Sequence, residues 1–177
     1  MKIFLSGGAK NGKSTLAQRL SKGLAGDGPL YYAATMIPHD EEDEARIARH
    51  LREREGWGFE TVECPLEPHR AMEGSPRGPV LFDSVTALLA NEMFSARGID
   101  PAAPERAKQS LLRLADWAEH IVFVSDFIYS DAGQYDEWTN AYRRGLADID
   151  RALCAACDTV AEVCAGNVIL HKGVLPE

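Results

Sequence analysis

No stretch of this 177-residue chain is apolar for long enough to cross a bilayer; a spanning helix would need about eighteen such residues in a row. Basic residues are scarce as well. Lys and Arg number 19 against 27 Asp and Glu, a net charge of -8, which excludes a general nucleic-acid binder because that needs a basic face. Cysteine occurs four times. Cys154 and Cys157 form a C-x-x-C late in an Ala-rich helical stretch, whereas a redox pair sits at a helix N-terminus, where the dipole lowers the thiol pKa. No histidine completes a zinc set with Cys164, so the cysteines read as small buried fillers. There is no internal repeat and no low-complexity linker. With 45% apolar residues, one globular domain over 1–177 is expected. Met1-Lys2 runs directly into an apolar segment with no room for a signal peptide, so a cytoplasmic location is expected.

What is present begins at the N-terminus. Gly7-Gly8-Ala9-Lys10-Asn11-Gly12-Lys13-Ser14 is a complete G-x-x-x-x-G-K-[ST] phosphate-binding loop. It lies between Lys2-Ile3-Phe4-Leu5-Ser6, which reads as a strand, and Ser14 to Gly26, which reads as a helix. In such a loop the backbone N–H groups turn inward at phosphate oxygens, helped by the positive end of the helix. Lys13 is expected to reach the β- and γ-phosphates of ATP or GTP, and the Ser14 hydroxyl to hold Mg²⁺.

Apolar runs then alternate with helical patterns, which predicts an α/β fold of P-loop NTPase type: a mostly parallel sheet flanked by helices. Strands are expected at 30–34, 60–64, 79–83 and 120–125, with a closing hairpin of 160–164 and 168–171 around Gly166-Asn167. Helices are expected at 40–55, 85–96, 104–119 and 134–157, the second and third separated by 97–101. The Pro/Gly-rich stretch 65–79 holds at most a short helix.

Asp83 ends an apolar strand about seventy residues after the loop, where P-loop proteins place the carboxylate that positions Mg²⁺. The competing reading is a helix cap, a role that Asp83 or Ser84 would fill for the helix starting at Val85. In the charged helix, Arg46, His50 and Arg54 recur at i, i+4 and i+8, which sets a histidine between two guanidiniums. Flanking cations disfavour protonating the imidazole and attract phosphate, the setting that a phosphate-accepting nucleophile needs. Ile47 and Leu51 fall on the neighbouring face and are candidates for core packing. Acids at the start and bases at the end equally describe a solvated surface helix, and spacing alone favours that plainer reading.

The chain resembles the bifunctional adenosylcobinamide kinase/adenosylcobinamide-phosphate guanylyltransferases of cobalamin biosynthesis. The matches run in order: the loop, Tyr32-Ala33-Ala34-Thr35, Asp43-Glu44, Arg46-Ile47-Ala48-Arg49-His50, Trp57, Glu60-Thr61-Val62-Glu63, Leu81-Phe82-Asp83-Ser84-Val85-Thr86 and Asn91. The resemblance implies a homotrimer of P-loop domains. It implies that a corrinoid hydroxyl is phosphorylated with ATP or GTP, and that GMP passes from GTP to that phosphate through a histidine-linked intermediate. The family's histidine falls on His50. Glu63 and Asp83 fall on nucleotide- or metal-contacting positions, Thr35 lies in a matched segment taken to bind nucleotide, and Arg52 to Arg54 lies in a segment that contacts the guanine nucleotide.

The resemblance weakens after the fifth strand. The family's Asn-Glu-Val-Gly is replaced by Ser125-Asp126-Phe127-Ile128-Tyr129-Ser130-Asp131, and Asp150 stands where an asparagine is usual. Two readings stay open here, drift of a surface loop or an altered corrinoid site. Phe127, Tyr129, Tyr135 and Trp138 either line a flat hydrophobic site or belong to the core. The alternatives to the bifunctional enzyme are a single-activity kinase with another hydroxyl substrate and a nucleotide-binding regulatory protein without turnover.

Overall fold

The computed structural model describes residues 1–26, 28–38, 40–96 and 98–176, with the side chains of Glu42, Arg46 and Glu53 outside the description. The Arg46 side chain of the expected His50 face, and Arg97 of the expected linker, therefore lie outside the described residues. In chain order the elements are β1 (Lys2–Ser6), α1 (Lys13–Ala25), β2 (Leu30–Ala34), α2 (Glu41–Glu53), β3 (Phe59–Glu63), α3 (Pro68–Ala71), β4 (Val80–Asp83) and α4 (Val85–Met93). They continue with β5 (Phe94–Ser95), β6 (Gly98–Ile99), α5 (Ala103–Trp117), β7 (Ile121–Val124), α6 (Glu137–Ala156), β8 (Thr159–Cys164) and β9 (Asn167–Lys172).

Seven strands form one sheet in the order β3-β2-β4-β7-β1-β8-β9. Every pairing is parallel except that of β8 with the edge strand β9. A parallel sheet needs cover on both faces, which is why its strands are continuous apolar runs. Side chains alternate between two cores. Phe4, Phe82, Phe123 and Tyr31 pack with Leu88 and Leu89 of α4, Leu111 and Leu114 of α5, and Leu146 and Ile149 of α6. Ile3, Leu5, Leu81, Val122 and Val124 pack on the other face with Ala17 and Leu20 of α1. After β1 the chain therefore turns to one face of the sheet, while after β7 it turns to the other. Neighbouring strands whose connections part in this way open a crevice at their carboxyl ends, the usual ligand position in such sheets.

Several boundaries differ from expectation for local reasons. Helix α4 stops at Met93 rather than Ala96, because Phe94 is extended (φ -113, ψ 97) and Phe94-Ser95 pairs with Gly98-Ile99 in a small antiparallel ribbon. Helix α6 starts at Glu137 rather than Gln134, where the Asp136 carboxylate accepts from the N–H groups of Trp138 and Thr139. The closing turn is Ala165-Gly166, and Asn167 already belongs to β9. Cys64 and Cys157 are buried fillers, with burial pushing each thiol up to about 12. Cys154 is half-buried and Cys164 is exposed at the end of β8, so the expectation of four buried fillers fails for the last. Among the described residues no group of metal-binding side chains includes these thiols, and no helix is long and apolar enough to cross a membrane.

Asp150 of α6 explains part of the unusual segment after β7. It is 2% exposed and accepts from Ser125 Oγ at 3.0 Å and Tyr129 Oη at 3.2 Å, while its Oδ1 has no partner among the described residues. Burial pushes this carboxyl from 3.8 up to about 7, against the opposing hydrogen bonds from Ser125 and Tyr129. Between those two values the folded chain holds a proton that the unfolded chain has released. The residue's contribution to stability therefore falls as pH rises through that window and stays low above it. Asp150→Asn is expected to stabilise the protein at pH 8 by on the order of 2 kcal/mol, with the gain closing towards pH 4. Urea denaturation of both chains across that range checks this, and a gap independent of pH would refute it.

Candidate functional site

The phosphate loop closes β1 onto α1. Gly7 has φ 148, and a Cβ there would sit 2.3 Å from the Val163 carbonyl oxygen of β8, so only glycine fits. Gly12 caps α1 with φ 91, a left-handed backbone that favours glycine. Asn11 ties the loop to the sheet edge by accepting from the Ala165 N–H at 2.9 Å. Lys13, the first residue of α1, is only 6% exposed. A buried ammonium needs anionic or carbonyl partners. It donates to the Gly8 carbonyl at 2.7 Å and forms an ion pair with Asp126 Oδ1 at 2.8 Å, across the crevice between β1 and β7.

Asp83 ends β4 one strand further along. The cap of α4 is Ser84, whose Oγ accepts from the Ala87 N–H at 3.2 Å, which leaves the Asp83 carboxylate to other partners. One is the Tyr32 hydroxyl, which donates to Asp83 Oδ2 at 3.2 Å. Burial, and then the Asp83 charge, raise the Tyr32 pKa well above its ordinary value and keep the phenol a donor. The Arg54 guanidinium lies over the Tyr32 ring, 3.4 Å from its centroid. Arg54 is 6% exposed, yet its Nε and Nη1 have no hydrogen-bond partner among the described residues. A buried guanidinium with unsatisfied donors fits an anionic ligand.

A cavity of about 980 Å³ gathers most of the expected residues on one wall or another: Ala9 to Ser14, Thr35, His50, Arg54, Glu63 and Asp83. Gly7 and Gly8 shape the loop behind it. Thr35 is fully buried, and its hydroxyl is taken up by Ser84, donating to the carbonyl at 3.1 Å and accepting from the N–H at 2.7 Å. Its side chain therefore sets the Asp83-Ser84 corner. Asn91 supports the same corner from α4, donating to the carbonyls of Thr35 and Pro65. His50 is half-buried in the cavity wall, so the fully solvated reading of α2 fails at this position. Ile47 and Leu51 line the cavity too, and Leu51 is 49% exposed rather than packed in the core. Arg52 does not line that cavity; it lines an adjoining groove of about 610 Å³ with Gly56 and Phe59, which shares Leu51, Arg54 and Thr61 with the cavity.

Among the cavity residues that sequence reading did not name as site members are Tyr32, Arg49 and Asp126. Tyr32 was visible only as a matched strand residue. Asp126 follows an apolar run as Asp83 does, but nothing in the sequence says that β7 pairs with β1, which is what puts it against Lys13. The oxygen donors Ser14, Asp83 and Asp126 suit Mg²⁺, a hard cation bound through one or two carboxylates plus substrate phosphates. Of the four aromatics after β7, Phe127, Tyr135 and Trp138 are exposed, while Tyr129 is half-buried against the core.

The sequence model of the cobinamide kinase / cobinamide phosphate guanyltransferase family matches residues 3–170. The chain belongs to that family. It is accordingly a transferase. The bifunctional adenosylcobalamin biosynthesis protein CobU of Salmonella typhimurium is 28% identical over 180 residues, covering 94% of this chain and 97% of that protein. The corresponding protein CobP of Pseudomonas aeruginosa is 29% identical over 178 residues, covering 98% of each. Solved structures share the fold alone. An ATPase domain matches with TM-score 0.55 at 9% identity, over 97% of this chain and 76% of its own. A Pyrococcus horikoshii protein matches with TM-score 0.51 at 9% identity, over 98% and 86%.

Replacing the buried ammonium tests the phosphate loop. Lys13→Ala is expected to weaken binding of a nucleoside triphosphate by about a hundredfold while the chain stays folded, since charge-assisted bonds to two phosphates are lost. Calorimetric titration checks this, and unchanged affinity would overturn the role given to the loop.

Proposed function

We propose that this member of the family carries out both reactions of its name in one cavity, with His50 as the covalent intermediate of the second. The observation that carries the reading is that His50 shares the cavity with Lys13, Ser14 and Asp83. In the kinase step the corrinoid hydroxyl attacks the γ-phosphorus of ATP or GTP. An O–P bond forms, the γ-phosphorus–oxygen bond to the β-phosphate breaks, and the nucleoside diphosphate leaves with the electron pair. The hydroxyl proton passes to solvent. Lys13 and the N–H groups of the loop stabilise charge on the transferring oxygens.

In the second reaction an imidazole nitrogen of His50 attacks the α-phosphorus of GTP and pyrophosphate departs. An oxygen of the corrinoid phosphate then displaces the imidazole, breaking the N–P bond and releasing the free histidine. A covalent step of this kind splits one difficult transfer into two easier ones. Arg54, with unsatisfied buried donors beside the cavity, serves as an anion clamp, and Glu63 completes the nucleotide site, with Thr35 holding its Asp83-Ser84 corner from behind. Ser14 and Asp83 are the residues that hold Mg²⁺, which when bound neutralises phosphate charge.

The same reading includes a cytoplasmic, homotrimeric protein of one nucleotide-binding domain. The free thiols support the compartment. The edge strand β9 supports assembly, because Val168, Ile169 and Leu170 are 42%, 48% and 46% exposed on it. Sedimentation equilibrium is expected to return three times the 19.4 kDa chain mass, and a monomer would refute the assembly.

The covalent step has its own test. Incubation with α-labelled GTP and Mg²⁺ is expected to leave acid-labile, alkali-stable label on the wild type and none on His50→Ala. Label on both chains would move the nucleophile elsewhere. No label on a folded wild type that still binds GTP would leave the kinase as the surviving activity.

A further inference from the structure

Lys13 has three N–H donors on its ammonium. One goes to the Gly8 carbonyl at 2.7 Å, within the loop itself. A second meets Asp126 Oδ1 at 2.8 Å. A triphosphate seated in the loop asks this ammonium for bonds to both its β- and γ-phosphates. With the Gly8 bond kept, only one donor remains for two phosphates, so the nucleotide must take the donor that Asp126 holds.

Asp126 has little freedom to retreat. Its own N–H donates to Thr86 Oγ1 of α4 at 2.8 Å. On one side, the N–H of buried Ser125 donates to the Leu5 carbonyl at 3.0 Å, and its hydroxyl donates to Asp150. On the other, the Phe127 N–H donates to the Gly7 carbonyl at 3.1 Å, stitching this segment to the phosphate loop. The backbone is thus pinned at three consecutive residues, and the carboxylate, 23% exposed, stays in the cavity that also holds Asp83 and Glu63. Once Lys13 turns to the phosphates, a carboxylate carried on this fixed backbone faces a polyanion. Repulsion between them at such range is costly unless a cation lies between.

We propose that Asp126 is a carboxylate latch on the phosphate-binding lysine that a divalent cation opens, passing Asp126 from the ammonium to the metal and tying nucleotide binding in this chain to Mg²⁺. The inference rests on the nucleotide-binding reading above and extends it to a residue outside the loop. It makes Asp126 a positioning residue for Lys13 and, with Ser14 and Asp83, part of the oxygen set around the cation. Two consequences separate it from a merely structural ion pair. Metal-free nucleotide should bind poorly because it meets both the latch and the stranded charge. Neutralising Asp126 should help metal-free nucleotide and should weaken the dependence on metal.

The test is calorimetric titration of the full chain with non-hydrolysable ATP and GTP analogues, in excess chelator and in excess Mg²⁺, for wild type and Asp126→Asn. The variant is expected to bind metal-free analogue about tenfold more tightly than wild type, and the Mg²⁺ enhancement is expected to shrink by a similar factor. If Asp126→Asn does not fold by circular dichroism, Asp126→Ser is read in its place. Metal-free affinity in the variant equal to or below that of a wild type that does bind nucleotide would overturn the latch alone. A folded wild type that binds neither analogue with or without Mg²⁺ would overturn the nucleotide reading, and the latch with it.

Discussion

The structure depends at its centre on one buried ammonium. Lys13 reaches the crevice because β1 and β7 lie side by side and send their chains to opposite faces of the sheet. A charge withdrawn this far from water must be matched locally. Gly8 and Asp126 match it, one from the loop after β1 and the other from the segment after β7. The two connections flanking the crevice are thereby joined through a side chain proposed to hold phosphate, so the same contact organises the fold and lines the cavity.

Around that centre the charge is arranged against the character of the whole molecule. The chain carries a net charge of -8, yet the cavity presents Lys13, Arg49 and Arg54 along with the amides of the loop. Affinity for an anion is a local property, set by donors fixed in a partly dry site rather than by total charge. Tyr32 is the spacer in this arrangement. Its ring supports the Arg54 guanidinium and its hydroxyl holds Asp83, so cation and carboxylate are kept apart with one aromatic side chain between them.

The segment after β7 shows how a departure from the family's pattern is absorbed. Ser125 and Tyr129 both donate to Asp150, Arg143 donates to the Ile128 carbonyl and to Asp131, and Tyr135 donates to Asp131. The segment after β7 and α6 are thus tied together by one hydrogen-bonded set. What the set leaves exposed is aromatic: Phe127, next to Asp126, and Tyr135 and Trp138 beyond it.

Local chemistry was legible without any structure. Gly7, Gly12, Lys13 and Ser14 announce a phosphate loop because backbone sign, charge and hydroxyl are needed at fixed short spacings, and the continuous apolar runs announce a sheet covered on both faces. Strand identities followed because apolar periodicity is a property of a few neighbouring residues. Helix ends were less legible, since the end of α4 at Met93 depends on Phe94 pairing with Ile99, and the start of α6 on Asp136 accepting two N–H groups. Tertiary structure alone decided strand order, and with it that Asp126 meets Lys13, that Tyr32 stands between Arg54 and Asp83, that Thr35 turns its hydroxyl on Ser84 rather than outward, and that Arg52 faces a different groove from His50. Each of these joins residues far apart in the chain or separates residues close together in it. Sequence spacing carries information only over a turn or a strand, whereas a buried charge finds its partner through the packing of the whole sheet.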